Sequence, residues 1–135
     1  MKLVIVKKVI AFLSIVLSVS YSDIIYRVPI EGVIDLGLPP YIKRVIKEAE
    51  DSKVKAIVFE INTFGGRVDA ATQIKDAILS SNVQTIGFIN RRAISAGALI
   101  SLSCEKIYMT GGGLIGAATA VDMSGKKVVK KLSVL

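Results

Sequence analysis

Apolar positions along this chain switch between strand-like runs and helical spacing, and the switches mark its elements. Ile24 to Ile30 reads as a strand, followed by Glu31-Gly32 and a second short apolar stretch, Val33-Ile34. From Leu38 to Asp51 the apolar residues Leu38, Ile42, Val45, Ile46 and Ala49 recur at helical intervals. Lys43, Arg44, Lys47, Glu48 and Glu50 occupy the other face, and Pro39 and Pro40 fit only in the first turn. Residues 55–62 predict a buried strand, ended by Thr63-Phe64-Gly65-Gly66. A helix from Val68 to Leu79 then presents Ala71, Ile74, Ala77 and Ile78 on one face, and Val83 to Ile89 predicts the next strand. Asn90-Arg91-Arg92 reads as a turn into a small-residue helix, Ser95 to Ser103. A further strand covers Lys106 to Met109, and the glycines at 111–113 read as a loop.

Strands alternating with helices of this length predict an α/β fold with a mostly parallel sheet, covered by helices on both faces. The 135 residues allow one domain. Residues 1–22 stand apart. Lys2, Lys7 and Lys8 precede an apolar run, Val9 to Val19, with small residues after it. That is the pattern of a signal peptide, or of an uncleaved signal anchor, and it predicts an exported or membrane-associated domain at 23–135. The run is short for a membrane span, which needs roughly 20 apolar residues.

Of the net charge of +7, three charges lie in that leader, leaving +4, concentrated at Lys126, Lys127, Lys130 and Lys131. No aromatic residues interleave with the basic ones, so a nucleic-acid partner is not expected. The single cysteine, Cys104, excludes an internal disulfide framework. The chain has no histidine, which removes Ser-His-Asp, Cys-His and histidine-containing zinc chemistry. No cofactor or metal is expected.

Two features fall at the ends of successive strands, the edge where open α/β sheets bind ligands. Gly65-Gly66 lets the backbone bend sharply and bring its N–H groups near a ligand. Ser95 opens the small-residue helix, near the unsatisfied N–H groups of its first turn. Together they offer a nucleophile and an oxyanion hole: the Ser95 hydroxyl, the Ala96 N–H, and an N–H from Gly65 or Gly66. Each feature also has a structural reading, since a serine before a helix commonly caps it and a glycine pair commonly makes a turn.

The blocks Glu31-Gly32, Glu60 to Ala70 (around Gly65-Gly66-Arg67), Arg92 to Ile100 (around Ser95-Ala96-Gly97) and Ile115 to Ala118 resemble, in order, those of the NfeD-like serine proteases. These are membrane-bound peptidases of the ClpP class, with a ClpP/crotonase-like fold. The resemblance implies Ser95 as nucleophile, Gly65, Gly66 and Ala96 as the oxyanion hole, and a lysine base after the Ile-Gly-Ala block. Lys127 is the best match for that base, and a Ser-Lys dyad needs no histidine. A free lysine, near pKa 10.4, must be lowered by roughly three units to accept a proton at neutral pH. Phe64 stands where many relatives have proline.

The resemblance further implies a serine endopeptidase that cuts apolar segments of membrane-associated proteins. A stomatin-like protein is a candidate partner, and a homo-oligomer is expected. Because the family's protease domain continues further, residues 23–135 read as a C-terminally truncated domain. A non-catalytic exported binding domain is therefore the alternative. An acyl-CoA enzyme of the crotonase type is disfavoured by the leader and by the Ser-Ala-Gly block.

Overall fold

The computed structural model describes residues 1–8 and 23–118. Residues 2–8 are helical and exposed. The remainder runs β1 (Ile25–Ile34), α1 (Leu38–Asp51), β2 (Ala56–Gly66), α2 (Val68–Leu79), β3 (Gln84–Ile94), α3 (Ala96–Leu102), β4 (Lys106–Met109) and β5 (Leu114–Gly116). Most of the export-signal region and all of 119–135 lie outside the described residues. Among the described residues no helix is long and apolar enough to cross a membrane.

The strands form one sheet in the order β1-β2-β3-β4, with β5 also on β3, and all pairings are parallel. Its core follows from alternation along the strands. Val28, Ile30 and Ile34 of β1, Ile57, Phe59 and Ile61 of β2, and Ile89 and Ala93 of β3 are buried with Ile42, Ile46 and Ala49 of α1. Ala70, Ala71, Ile74 and Ile78 of α2 and Ala96 and Ile100 of α3 belong to the same cluster. Burying a side chain of this size is worth about 1.5–3 kcal/mol, so this one layer carries most of the stability. α1 and α2 have the predicted bounds, and Pro39 and Pro40 sit in the first turn of α1.

The expected covering of both faces is not what the described residues show. α1, α2 and α3 bury against one face, because the inward positions of the strands are the continuously apolar ones. The other face carries Arg27, Pro29, Glu31 and Val33 of β1, all exposed. It is held by a carboxylate. Glu60, only 7% exposed, accepts from Arg27 Nε at 2.5 Å and from Asn90 Nδ2 at 2.9 Å, bridging β1, β2 and β3. Both oxygens are thus satisfied, as a buried carboxylate requires.

Two predicted strand ends are extended instead. β1 continues through Glu31-Gly32 by a bulge, with Gly32 at φ +72°. Gly65 and Gly66 then pair with Val33 and Ile34 beyond it, which keeps β2 extended. Asn90-Arg91-Arg92 is a bulge as well: Ile61 pairs with Ile89 and Thr63 with Ala93, leaving those three residues opposite Asn62 alone. β3 survives the bulge because Arg92, Ala93 and Ile94 pair with Leu114, Ile115 and Gly116.

Cys104 is buried beneath α3, and burial pushes its thiol up to about 12. Because the thiolate is the reactive form, the folded protein should resist iodoacetamide at pH 8 and react promptly in denaturant. Mass spectrometry of the alkylated protein tests this; equal rates in both states would contradict the burial of this side chain.

Candidate active site

The site is built where β2 and β3 end side by side. Ser95 lies between β3 and α3 with φ +54° and ψ −113°, a conformation that is uncommon for any residue with a Cβ. Such strain costs about 1–3 kcal/mol and persists only where the surroundings enforce it. Here they do. The Ser95 N–H donates to the Gly116 carbonyl at 2.9 Å, so β5 grips the residue. The Ser95 carbonyl accepts from the N–H groups of Ala98 and Leu99 at 3.0 and 3.2 Å, so α3 grips it from the other side. The side chain is half-buried and makes no capping hydrogen bond to α3. The capping role that the sequence left open is therefore not the one it plays.

Gly65 is pressed against this junction. A Cβ at Gly65 would stand 2.9 Å from the Ser95 Cβ, 2.9 Å from the Ile94 carbonyl oxygen and 3.2 Å from the Ala96 nitrogen. Its φ of +109° also favours glycine. Ser95, Ala96 and Gly65 are thus brought together. Gly66 sits one step further along, its Cα against β1, where a Cβ would be 2.2 Å from the Ile34 carbonyl oxygen.

The two glycines differ in what their amides do. Gly65 N donates to Thr63 Oγ1 at 2.9 Å, which engages it. Gly66 pairs with Ile34, whose carbonyl accepts from Arg67 N at 2.8 Å. In a parallel ladder of this phase the N–H of the paired residue points away from that neighbour, so the Gly66 amide is turned away from β1. Lys127 lies outside the described residues. Among those residues no group of three or more histidine, cysteine, aspartate or glutamate side chains could hold a metal ion.

Thr63 is the residue that sequence reasoning missed. Only 1% exposed, it donates to the Gly32 carbonyl at 2.5 Å and accepts from Gly65, tying the β1 bulge to the glycine turn. Its methyl occupies the space where Gly97 would carry a side chain; a Cβ there would be 2.5 Å from Thr63 Cγ2. The signal was present in the alternation Ile57, Phe59, Ile61, Thr63, which puts a hydroxyl in the core immediately before the glycines.

A groove of about 340 Å³ opens beside Gly65. Val33, Phe64, Asn62, Arg91 and Arg92 line it together with Gly32, Thr63 and Gly65. The Arg92 guanidinium lies 4.3 Å from the centre of the Phe64 ring, a cation–π contact worth roughly 0.5–1 kcal/mol at an exposed site.

The fold is thus a parallel α/β sheet in which a strained serine at the end of β3 packs against a glycine at the end of β2. Residues 24–135 match the family model described as the NfeD1b N-terminal domain, and the chain belongs to that family. It is 37% identical over 107 residues to membrane protein NfeD1b of Bacillus subtilis, covering 79% of this chain and 24% of that protein. It is 33% identical over 103 residues to membrane-bound protease PH1510 of Pyrococcus horikoshii, covering 74% of this chain and 23% of that one.

Two solved forms of the 1510-N membrane-bound stomatin-specific protease share the fold. A serine-to-alanine mutant superposes with a TM-score of 0.70 at 30% identity, over 80% of this chain and 55% of that one. A lysine-to-alanine mutant in complex with a substrate peptide gives 0.69 at 30% identity, over 82% and 53%. The chain thus spans about a quarter of these curated relatives and about half of the solved domains.

Thr63→Val should leave the buried Gly65 amide and the part-buried Gly32 carbonyl without their partner, destabilising the fold by about 1–3 kcal/mol. Thr63→Ser should restore most of it. Chemical denaturation tests this, and a valine variant of parental stability would remove Thr63 from the bracing of the Gly65 segment.

Proposed function

We propose that this chain carries the serine-protease half-site of a membrane-associated endopeptidase, with Ser95 as nucleophile. The observation that supports it most is the contact of Gly65 with Ser95 and Ala96 around a serine held at positive φ. On this reading the Ser95 hydroxyl stands beside two backbone amides, those of Ala96 and Gly66. These amides are the proposed oxyanion donors, while Gly65 supplies the close approach and the bend.

The reaction follows. A peptide carbonyl seated by Gly66 and Ala96 is attacked by Ser95 Oγ, the base takes the hydroxyl proton, and the negative oxygen is met by the two N–H groups. The base then returns the proton to the leaving amine, and water hydrolyses the acyl-enzyme by the reverse sequence. Lys127 is the proposed base, on the strength of the family pattern and the absence of histidine. The neighbouring solved forms altered at a serine and at a lysine, the second holding a substrate peptide, fit a Ser-Lys dyad. By analogy with the stomatin-specific neighbours, the proposed substrate is an apolar segment of a membrane-associated protein such as a stomatin homologue. An active domain outside the cytoplasm and homo-oligomeric assembly complete the proposal.

The test is covalent. A fluorophosphonate probe should label the full-length protein at Ser95 alone, and Ser95→Ala should lose both the label and peptide cleavage while unfolding near the parent. Activity should rise with pH as the base amine loses its proton. Lys127→Arg should be inactive at every workable pH, because guanidinium stays charged. Labelling that maps elsewhere, or cleavage that survives Ser95→Ala, would overturn the assignment.

A further inference from the structure

The bulge in β3 does more than lengthen the strand. Two residues beyond the regular register are accommodated opposite Asn62, and they turn Arg91 and Arg92 together onto the groove wall. Bulges beside active sites commonly re-aim side chains in this way. Both arginines lie within four residues of Ser95 in the chain, and Arg92 is braced on the Phe64 ring at 4.3 Å. Neither forms an ion pair among the described residues.

Three other cations in or beside the strands are paired. Arg67 is paired with Asp69, Lys55 with Asp23, and Arg27 with Glu60. Asp35 is occupied by the Gly37 amide at 2.9 Å. Glu31, the acid nearest along β1, is exposed and is not part of the groove lining. The groove therefore combines a strongly positive wall with two apolar surfaces that a folded chain would ordinarily bury: Val33 is 76% and Phe64 is 73% exposed.

From this pairing of charge and apolar surface we propose that Arg91 and Arg92 select peptides carrying an acidic side chain next to the apolar residue that packs on Val33 and Phe64. Arg92, stacked and half-buried, fixes the carboxylate by its planar fork, and Arg91 adds charge from the exposed side. An apolar segment with a neighbouring aspartate or glutamate is preferred over the same segment with an amide, and over one with lysine most of all. This deepens the peptidase reading of the same site and rests on it for cleavage, though not for binding.

The experiment uses the full-length protein and three labelled peptides that differ at one position: an apolar decapeptide with Asp, Asn or Lys beside the apolar core. Turnover of each is measured with the parent enzyme, and affinity is measured by fluorescence anisotropy with Ser95→Ala. The Asp peptide should be favoured over the Asn peptide by about fivefold in kcat/KM and in affinity, shrinking as salt rises. Arg91→Gln/Arg92→Gln should bring the ratio to one, Arg91→Lys/Arg92→Lys should keep part of it, and Arg91→Glu/Arg92→Glu should invert it toward the Lys peptide. Equal cleavage of all three peptides by the parent overturns the proposal and leaves the peptidase reading standing. Selective binding without cleavage overturns the peptidase reading and sustains the proposal. Absence of binding to any of the three overturns the proposal.

Discussion

Everything at the functional edge depends on two stretches of backbone touching with no side chain between them. The end of β2 meets the β3–α3 junction so closely that a single Cβ at Gly65 would collide with Ile94, Ser95 and the approach to Ala96. The same closeness recurs at Gly97, which leaves room for the Thr63 methyl, and at Gly66, which lies on Ile34. Three glycines thus set the distances between β1, β2 and α3, and the bulges at Gly32 and at Asn90–Arg92 bring the flanking strands into line with them. The site's geometry is a consequence of steric permission first and of hydrogen bonding second.

The fold divides its work between the two faces of the sheet. One face supplies the hydrophobic stabilisation through three helices. The other supplies alignment, through a carboxylate held by an arginine and an amide from the adjacent strands. An ion pair whose arginine is largely exposed adds little net stability. Its larger effect is on register: a slip of one residue in β2 would move Glu60 into the apolar layer, where a carboxylate has no partner. The long apolar strands are thereby kept from sliding along one another.

Much of this was legible in the sequence. α1 and α2 follow from apolar spacing alone, and the parallel sheet follows from the alternation of strands and helices. The family followed from four short blocks in fixed order, and Ser95, Ala96 and Gly65 proved to be neighbours. What sequence could not carry was geometry that depends on partners distant in the chain. The segments read as turns, Thr63–Gly66 and Asn90–Arg92, look like turns locally, and only pairing with Val33–Ile34 and with Leu114–Gly116 keeps them extended. The unequal roles of the two glycine amides were hidden for the same reason, since they are decided by Thr63 and by the phase of the β1–β2 ladder. The one-sided placement of the helices also escaped periodicity, because half-buried strand positions such as Val58, Ile86 and Phe88 read as apolar whether or not a helix covers them.

The grip of β5 on Ser95 has a mechanical corollary. β5 is three residues long and, among the described residues, its one strand partner is the last stretch of β3, so little cooperative structure opposes its detachment. Yet it holds the amide of Ser95, whose backbone is strained. Elastic energy stored in the Ser95 backbone is therefore retained by the weakest fastening in the sheet, as in a cocked trigger with a small sear. Detachment of β5 would let that backbone relax without disturbing the core. The backbone geometry of Ser95 is in this sense a property of the sheet's smallest strand.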